Sequence, residues 1–406
     1  MNLGEVQVHE IRSKFEAIQT KEDLLALLNL TLTSIYGDKA RKISLKSLTY
    51  YSNPKLSRNS YEKFSISKKS GGTRTIHAPT RGLKTIQRCL NIVLQSVFEP
   101  HCTATGFIPG KSIVDNAILH TGKRYVYNID LKDFFPSVDQ ARVWKCLQLH
   151  PFYLNAERSR LHLANMIAAL CCTRLEVERQ NSIGDWVKQY REVLPQGAPT
   201  SPTLTNVVAH KLDVRLRGLA KRFKIKYSRY ADDITFSSHE NVFVNDGDFS
   251  KELQRIIKDQ NFQINPKKTR LQNSDFRQEA TGLVINEKVN VHRRYIKQIR
   301  MWLYYWEKYG YLKAGKIFIR EYGFEKANRK KKSPTLKAVI EGKLNFLSMV
   351  KGPEDSTYQK LHDRFTKLTM HTAPVIEVKT TELDDILDAL VHKGLENAMS
   401  LFTSMK

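Results

Sequence analysis

The chain has 406 residues, 41% of them hydrophobic, which is enough for large hydrophobic cores and two or three domains. Its 66 Lys and Arg against 41 Asp and Glu give a net charge of +25, which suits a partner with a continuous line of negative charge such as a phosphate backbone. The five cysteines show no C-x-x-C spacing, no run approaches 18 apolar residues and the start does not resemble a signal peptide, so we expect reduced thiols and a cytoplasmic protein with no membrane partner.

The first hundred residues change period near residue 60. Residues 1–60 predict short helices, with a leucine-rich run behind a typical N-cap sequence, TKED. Residues 61–79 alternate in polarity on either side of Gly71 and Gly72, which predicts a β-hairpin with a basic tip. Apolar residues then recur at helical spacing over residues 83–97.

The middle of the chain predicts a mixed α+β region. The apolar strand YVYNID ends at Asp130, two helical segments follow, and a helix is expected over residues 202–221. Aromatic and β-branched residues flank Asp232 and Asp233 in IKYSRYADDITFSS, which predicts a strand, a tight turn and a second strand. A further helix and a short strand pair around VINEKVNVH complete the region, which spans residues 61–290.

The C-terminal part is helical and very basic up to about residue 372. Aromatic residues interleave with its charges, which is typical of a surface that follows phosphates, although a solvated helix face gives the same pattern. The residues expected to contact nucleic acid are Arg293, Arg294, Lys297 and Arg300. Residues 373–406 turn acidic and predict a helical extension that could pack on the preceding helices, bind a partner or mediate self-association.

Three aspartates carry the clearest chemical signal. Nucleotide addition by phosphoryl transfer uses two divalent ions roughly 3.5–4 Å apart, and Mg²⁺ prefers carboxylate ligands at one rigid point. Asp130 at a strand end, with Asp232 and Asp233 at a hairpin turn, can supply that point, whereas Asp133 is expected to be a surface or structural carboxylate. Because an Asp-Asp pair is also common in ordinary turns, the order and context of the motifs must decide.

The order of the motifs resembles that of bacterial reverse transcriptases. Similar blocks occur in sequence over residues 60–290 and more weakly beyond them: FSISKKSGGTRTIHAP, GFIPGKSIVDNAILH, NIDLKDFFPSV, LPQGAPTSPTLTN, RYADD, NFQINPKKT and TGLVIN. The NAILH block and the pair Thr281-Gly282 most resemble retron reverse transcriptases, which often have Val where this chain has Ala280. His120 of NAILH is expected to be structural rather than catalytic.

The resemblance assigns roles to the matching positions. Asp130, Asp232 and Asp233 match the catalytic carboxylates and the ligands of two Mg²⁺ ions, for which Mn²⁺ can substitute. Lys268 matches a lysine suspected of protonating the pyrophosphate leaving group. Phe135 matches the bulky side chain that excludes a ribose 2′-hydroxyl, although it could simply pack in the core.

The resemblance also implies residues that bind the incoming nucleotide. Arg74 and Lys69, or Lys68 beside it, match the triphosphate contacts at the basic hairpin, where an exposed hairpin without function is the alternative for each lysine. Gln196 and Gly197 resemble the loop that meets the incoming nucleotide and the template, and Gly allows a close backbone approach.

The implied protein is an α+β right-hand polymerase with fingers, palm and helical thumb. Its expected parts are an N-terminal helical segment (1–60), fingers and palm (61–290), a basic thumb (291–372) and an acidic C-terminal extension (373–406). The resemblance implies an RNA-directed DNA polymerase that uses dNTPs and takes a structured non-coding RNA as both template and primer. Such enzymes make a branched RNA–DNA product, msDNA, in antiphage defence systems, together with an effector protein.

Two other functions stay open at this stage, as does the oligomeric state. One is a bacterial defence or group II intron-like reverse transcriptase without a retron RNA. A group II intron maturase normally carries a further RNA-binding domain, and only 120 residues follow TGLVIN. The other is a catalytically inactive RNA-binding module, against which the intact aspartates argue.

Overall fold

A computed structural model describes residues 4–57, 59–67, 71–157, 160–180, 183, 185–325, 334–371 and 399. The chain divides into two compact units, Met1–His292 and Arg293–Lys406. The mixed α+β composition expected from the sequence is confirmed. Within the described ranges, no helix is both long and apolar enough to cross a bilayer.

The first unit contains both helices and strands. Its helices are α1 (Glu5–Ala17), α2 (Lys21–Tyr36), α3 (Leu45–Ser52), α4 (Arg81–Val97), α5 (Ile113–Ile118), α6 (Gln140–Leu147), α7 (Leu161–Cys171), α8 (Ser201–Arg222) and α9 (Asp248–Asp259). Its strands are β1 (Tyr61–Ser67), β2 (Thr73–Pro79), β3 (Tyr125–Asp130), β4 (Thr173–Gln180), β5 (Trp186–Val193), β6 (Lys226–Tyr230), β7 (Asp233–Ser238), β8 (Arg270–Asn273), β9 (Glu279–Ala280) and β10 (Leu283–Val284).

A four-stranded antiparallel sheet of order β6-β7-β3-β8 forms the centre of the first unit. Helix α8 packs against β6, and α9 packs against α8. One continuous hydrophobic core extends from the N-terminal helices through these elements, from Ile11 to Phe262. Burial of this apolar surface is the main force that fixes the ends of the strands, at which the polar residues of the site lie.

The N-terminal helices begin where the sequence provides caps. The Thr20 hydroxyl accepts a hydrogen bond from the Asp23 amide at 3.2 Å, and the Asp23 carboxylate accepts one from the Thr20 amide at 2.9 Å. This reciprocal pair satisfies amides that α2 leaves without a helical partner. Leu24, Leu27 and Leu28 are then buried on the face that contacts α4.

Two parts of the sheet structure differ from the sequence prediction. The hairpin β4–β5 was not predicted, because its strands are rich in charged residues and the apolar alternation in β4 is limited to Leu175 and Val177. The short strand pair is β9–β10, which precedes the predicted position around VINEKVNVH. Thr281 and Gly282 form its turn with φ of 49° and 78°, whereas the predicted segment pairs only through a bridge between Val284 and Asn290.

The second unit is helical in its described part. It contains α10 (Arg293–Glu325), α11 (Leu336–Lys351) and α12 (Ser356–His371), each packed against the other two. Gly310 interrupts α10 with a φ of 73°. Trp302 and Trp306 are buried, whereas Tyr304 is exposed, so the aromatic residues interleaved with the charges divide between core and surface. The predicted acidic helix over 373–406 lies outside the described residues, apart from Met399.

Candidate active site

The three aspartates meet where two neighbouring strands end. The register of β3 and β7 places Asp130 directly opposite Asp233, and Asp232 lies in the turn that joins β6 to β7. The preceding Ala231 has a φ of 58°, which closes this tight turn. The Asp232 carbonyl accepts a hydrogen bond from the Leu131 amide at 3.0 Å, so the turn is fastened to the end of β3.

Burial and mutual repulsion perturb the aspartates of the turn. Burial raises the pKa of Asp232, and the Asp130 carboxylate raises it further. Burial, followed by the charges of Asp232 and Asp130, raises the pKa of Asp233 to about 6. The positive charges of Lys268, Arg74 and Arg270 act in the opposite direction but do not restore ordinary values. Burial is the larger cause for both groups, and the clustering of the three carboxylates adds to it.

Two residues in the segment between α9 and β8 fix the Asp130 side chain. Lys268 Nζ lies 2.7 Å from Asp130 Oδ2, and Asn265 Nδ2 donates to Asp130 Oδ1 at 3.0 Å. Partial burial lowers the pKa of Lys268, but its hydrogen bond to Asp130 and the charges of the three aspartates raise it overall. The sequence prediction named Lys268 but not Asn265. The backbone N–H of Asn265 also donates a hydrogen bond to the backbone carbonyl of Asp130 at 2.8 Å.

The predicted nucleotide loop contacts the hairpin β1–β2. The His77 amide donates to the Gln196 carbonyl at 2.8 Å. Gly197 has a φ of 126°, and a Cβ there would lie 2.7 Å from Ile76 Cγ2 and 2.8 Å from the His77 carbonyl oxygen. Only glycine fits this close approach to β2 without a shift of backbone.

The two basic residues predicted at the hairpin have different outcomes. Arg74 lies exposed on β2, and its charge lowers the pKa of Asp232, so it belongs to the electrostatic surroundings of the turn. Lys69 and its alternative Lys68 lie outside the described residues.

Phe134 and Phe135 divide the two roles that the sequence left open. Phe134 is 4% exposed and stacks on Phe262 with 5.6 Å between ring centroids, so it is a core residue. Phe135 is half-buried and contacts Phe107 at 5.9 Å. Phe107 in turn contacts Tyr230, the residue that precedes the turn, at 6.5 Å. Phe135 is thus the phenylalanine that borders the site.

A buried ion pair that was not predicted from the sequence supports the turn between β6 and β7. Arg229 and Asp213 have side chains 0% and 1% exposed and are joined by two hydrogen bonds, Nη2–Oδ2 at 2.6 Å and Nε–Oδ1 at 2.7 Å. Arg229 Nη1 donates to the Ala231 carbonyl at 3.1 Å. Asn206 accepts from Arg229 and donates to the Gly106 carbonyl at 2.9 Å. The turn is therefore held by residues of α8.

The NAILH block also lies beneath the hairpin, inside the protein. His120 is fully buried, with its ring nitrogens 2.7 Å from the hydroxyls of Ser228 on β6 and Ser237 on β7. Asn116 accepts from Ser228 at 2.7 Å and from Thr105 at 2.9 Å. Burial lowers the pKa of His120 to about 3, so the ring is neutral and bridges the two strands. This placement agrees with a structural role.

The predicted nucleic-acid contacts lie at the start of α10 in the second unit. Arg293, Arg294, Lys297 and Arg300 are all exposed. The spacing of Arg293, Lys297 and Arg300 places them on one side of the helix. Contact of these residues with nucleic acid stays a prediction.

The three aspartates have the chemistry of ligands for divalent ions, but they do not form a complete coordination geometry. Among the described residues, no group of three or more His, Cys, Asp or Glu side chains is arranged as a complete metal-ligand set. At this site Asp130 Oδ1 and Oδ2 accept hydrogen bonds from Asn265 and Lys268. Three hard carboxylates are nevertheless the ligands that Mg²⁺ prefers.

Comparison with known proteins agrees with this site. Residues 66–299 match a family model described as Reverse transcriptase (RNA-dependent DNA polymerase). Because the match covers more than half of the 406 residues, the chain belongs to the reverse transcriptase family. Members of this family generally use divalent metal ions.

Curated relatives narrow the family to its bacterial retron-type branch, as the sequence motifs indicated. The chain is 35% identical over 300 residues to Retron Mx65 reverse transcriptase of Myxococcus xanthus, an alignment that covers 70% of this chain and 62% of that protein. It is 34% identical over 247 residues to Retron Ec86 reverse transcriptase of Escherichia coli, covering 59% of this chain and 68% of that protein. Group II intron-encoded protein LtrA of Lactococcus lactis subsp. cremoris is 26% identical over 211 residues, covering 48% and 31%. The chain thus spans less than two thirds of the Myxococcus relative.

Proposed function

We propose that this chain is an RNA-directed DNA polymerase that adds deoxynucleotides to a primer by metal-assisted phosphoryl transfer. The observation that carries the proposal is the meeting of Asp130, Asp232 and Asp233 at one end of the central strands of an antiparallel sheet. The raised pKa values of the two turn aspartates support the same proposal, since such a charge cluster favours bound cations.

The three aspartates would hold two Mg²⁺ ions, or Mn²⁺ in their place. Such ions, when bound, activate the attacking hydroxyl and stabilise the charge that develops on the transferred phosphate. Asp130 would exchange its pairing with Lys268 for this role, and Lys268, exposed over 55% of its side chain, is free to turn toward the leaving group. A lysine ammonium, with an ordinary pKa of about 10.4, stays protonated near neutral pH, as a proton donor to pyrophosphate requires.

The residues around the aspartates would position the nucleotide. Arg74 supplies a guanidinium that can bind triphosphate oxygens in pairs, and Lys69 would add a second charge. Gln196 and Gly197 would meet the base pair, because their loop is fastened to β2 at His77. Phe135 would contact the sugar and exclude a 2′-hydroxyl by steric conflict.

Template and product follow from the retron-type relatives, so they belong to the proposal. The chain would take a structured non-coding RNA as template and primer and produce a branched RNA–DNA molecule, msDNA. The exposed charges at Arg293, Arg294, Lys297 and Arg300 would track the phosphates of this nucleic acid. A role in antiphage defence with an effector protein is the biological setting in which this product would act.

The nucleic acid that accompanies the purified protein tests the proposal. The gene is expressed with its native flanking DNA, and the Asp232→Asn variant is purified in parallel. A discrete DNA of fixed length, joined to RNA and absent from the variant, is the expected result. RNA alone in both samples would contradict self-primed synthesis and the retron product. DNA at equal amounts in both samples would contradict the catalytic role of Asp232.

A further inference from the structure

A second basic site in the first unit is lined by residues other than the three aspartates. It is a cleft of about 1110 Å³ between the end of α2, the start of α3, the end of β2 and the start of α4. Arg74 and the other described residues assigned above to catalysis or nucleotide binding are not among the residues that line it.

The lining of the cleft is strongly positive. Its cationic side chains outnumber its one carboxylate, that of Glu62, and comprise Arg41, Lys42, Arg81, Lys84 and Arg88. Within the part of the chain that the structure describes, none of these five cations forms an ion pair. Like charges gathered without an acidic partner repel one another, and an anionic ligand relieves that repulsion.

Aromatic rings lie among these charges. Arg88 Nη1 donates to the Tyr36 hydroxyl at 2.8 Å, and the Tyr36 side chain is otherwise exposed. The Tyr51 ring covers the first turn of α4 so closely that a Cβ at Gly82 would collide with its hydroxyl. Cations interleaved with tyrosines bind single-stranded nucleic acid, since the charges meet phosphates and the rings stack on unpaired bases. A duplex would offer no free base faces to these rings.

We propose that this cleft binds a single-stranded segment of RNA, separate from the site of nucleotide addition. The inference rests on the proposed function in one respect, namely that the substrate is RNA. Phosphates lie against Arg41, Lys42 and Arg81 at the mouth, and bases reach Tyr36 and Tyr51. The cleft thereby anchors a part of the RNA that is not being copied, and it adds affinity without taking part in chemistry.

Charge reversal in the full-length protein tests this site. The triple variant Arg41→Glu, Lys42→Glu and Arg81→Glu changes three exposed side chains of the cleft. The matched control reverses three exposed charges of α8, Lys211→Glu, Arg217→Glu and Lys221→Glu, so both variants have the same net charge. Binding of a fluorescein-labelled 12-nucleotide oligouridine is measured by anisotropy over a range of salt concentrations.

We expect the cleft variant to bind the oligouridine about tenfold more weakly at low salt. The slope of log K against log salt should become smaller in magnitude by about 2, because each of the three lost phosphate contacts contributes about 0.7 to it. The control should keep the wild-type slope. Equal weakening in both variants, or none in the cleft variant, would overturn the proposal. A second readout locates the contact: 4-thiouridine in the oligonucleotide should crosslink to peptides containing Tyr36 or Tyr51, and crosslinks confined to other peptides would also overturn it.

A polymerase assay separates this inference from the proposed function. A short primer–template with a one-nucleotide overhang offers no single-stranded segment to the cleft, so the cleft variant should extend it at the wild-type rate. Normal extension by the cleft variant, together with oligouridine binding equal to that of the wild-type protein, would refute the cleft site and leave the proposed function intact. Absence of extension by the wild-type protein would contradict the proposed function while the binding comparison still stands.

Discussion

Replacing Asp213 with Asn probes how the turn that carries Asp232 is held in place. Asp213 accepts two hydrogen bonds from Arg229 and a third from the Tyr227 hydroxyl at 2.7 Å. The substitution keeps the size of the side chain but removes its negative charge. The Arg229 guanidinium, 0% exposed, is then left in the interior without an anion.

The expected magnitude follows from this burial. Breaking a buried pair by removing one partner costs roughly 3–5 kcal/mol, because the remaining charge is desolvated and uncompensated. That is a large fraction of the about 5–15 kcal/mol by which a domain is usually stable. Since Arg229 also donates to the Ala231 carbonyl, the loss should be concentrated at the turn between β6 and β7.

The chain supplies a matched control in an ion pair between α8 and α9. Arg215 and Asp259 form an exposed pair at 2.7 Å, with side chains 27% and 45% accessible, and Asp259→Asn makes the same chemical change there. An exposed pair contributes only about 0–1 kcal/mol. Urea unfolding gives the overall loss of stability, and amide hydrogen exchange over residues 226–238 gives the local loss at the hairpin.

We expect Asp213→Asn to lower stability by at least about 3 kcal/mol, to speed exchange in the hairpin, and to reduce primer extension at least about tenfold. Asp259→Asn should leave all three close to wild type. A loss below about 1 kcal/mol for Asp213→Asn, equal to that of the control, would show that the buried pair does not hold the turn.

Three further predictions concern single side chains around the site. The pKa of His120 is about 3 in the folded protein and near 6.5 when unfolded, so above pH 6.5 both states are neutral, and below it only the unfolded state gains the proton. The free energy of unfolding should therefore fall by about 2 kcal/mol between pH 6.5 and pH 5. Urea titrations at each pH measure this dependence, and His120→Gln should remove it. An unchanged dependence on pH in the variant would refute the burial argument. Gly197→Ala should raise the KM for dNTPs about tenfold, through roughly 1–3 kcal/mol of strain. In the control Gly218→Ala in α8 the added Cβ meets nothing within 4 Å, so the KM should not change. Equal KM values for the two variants would contradict the close approach of Gly197 to β2. Phe135→Ala should admit ribonucleotides, measured as the ratio of kcat/KM for dNTP and rNTP, and an unaltered ratio would mean that the sugar is selected elsewhere.

The sequence was most informative where structure is local. The strand before Asp130 and the hairpin around Asp232 have the residue types and the turn that their conformation needs, so both were predicted correctly. The hairpin β4–β5 was missed because the apolar alternation in β4 is limited to Leu175 and Val177 and β5 is mostly exposed, so the hydrophobic period on which such predictions depend is weak.

The support of the site could not be predicted in the same way. Asp213 lies on a helix and Arg229 on a strand, and no spacing rule connects them; only the packing of α8 against β6 does. Asn265 likewise reaches Asp130 across 135 positions of sequence. Roles for Lys69 and for residues 373–406 stay predictions, since these lie outside the described residues apart from Met399.

Primer extension by the Asp232→Asn variant tests the central claim most directly. The assay uses an RNA template, a DNA primer, dNTPs and Mg²⁺, with Asp133→Asn as the control. Asp133 is an exposed aspartate three residues after Asp130 with a φ of 46°, a conformation that Asn tolerates. We expect Asp232→Asn to lose extension by about 10³-fold or more while RNA binding stays within about twofold, because the metal site supplies several kcal/mol to the transition state. Asp133→Asn should remain active. Extension by Asp232→Asn at the wild-type rate would contradict the assignment of the active site.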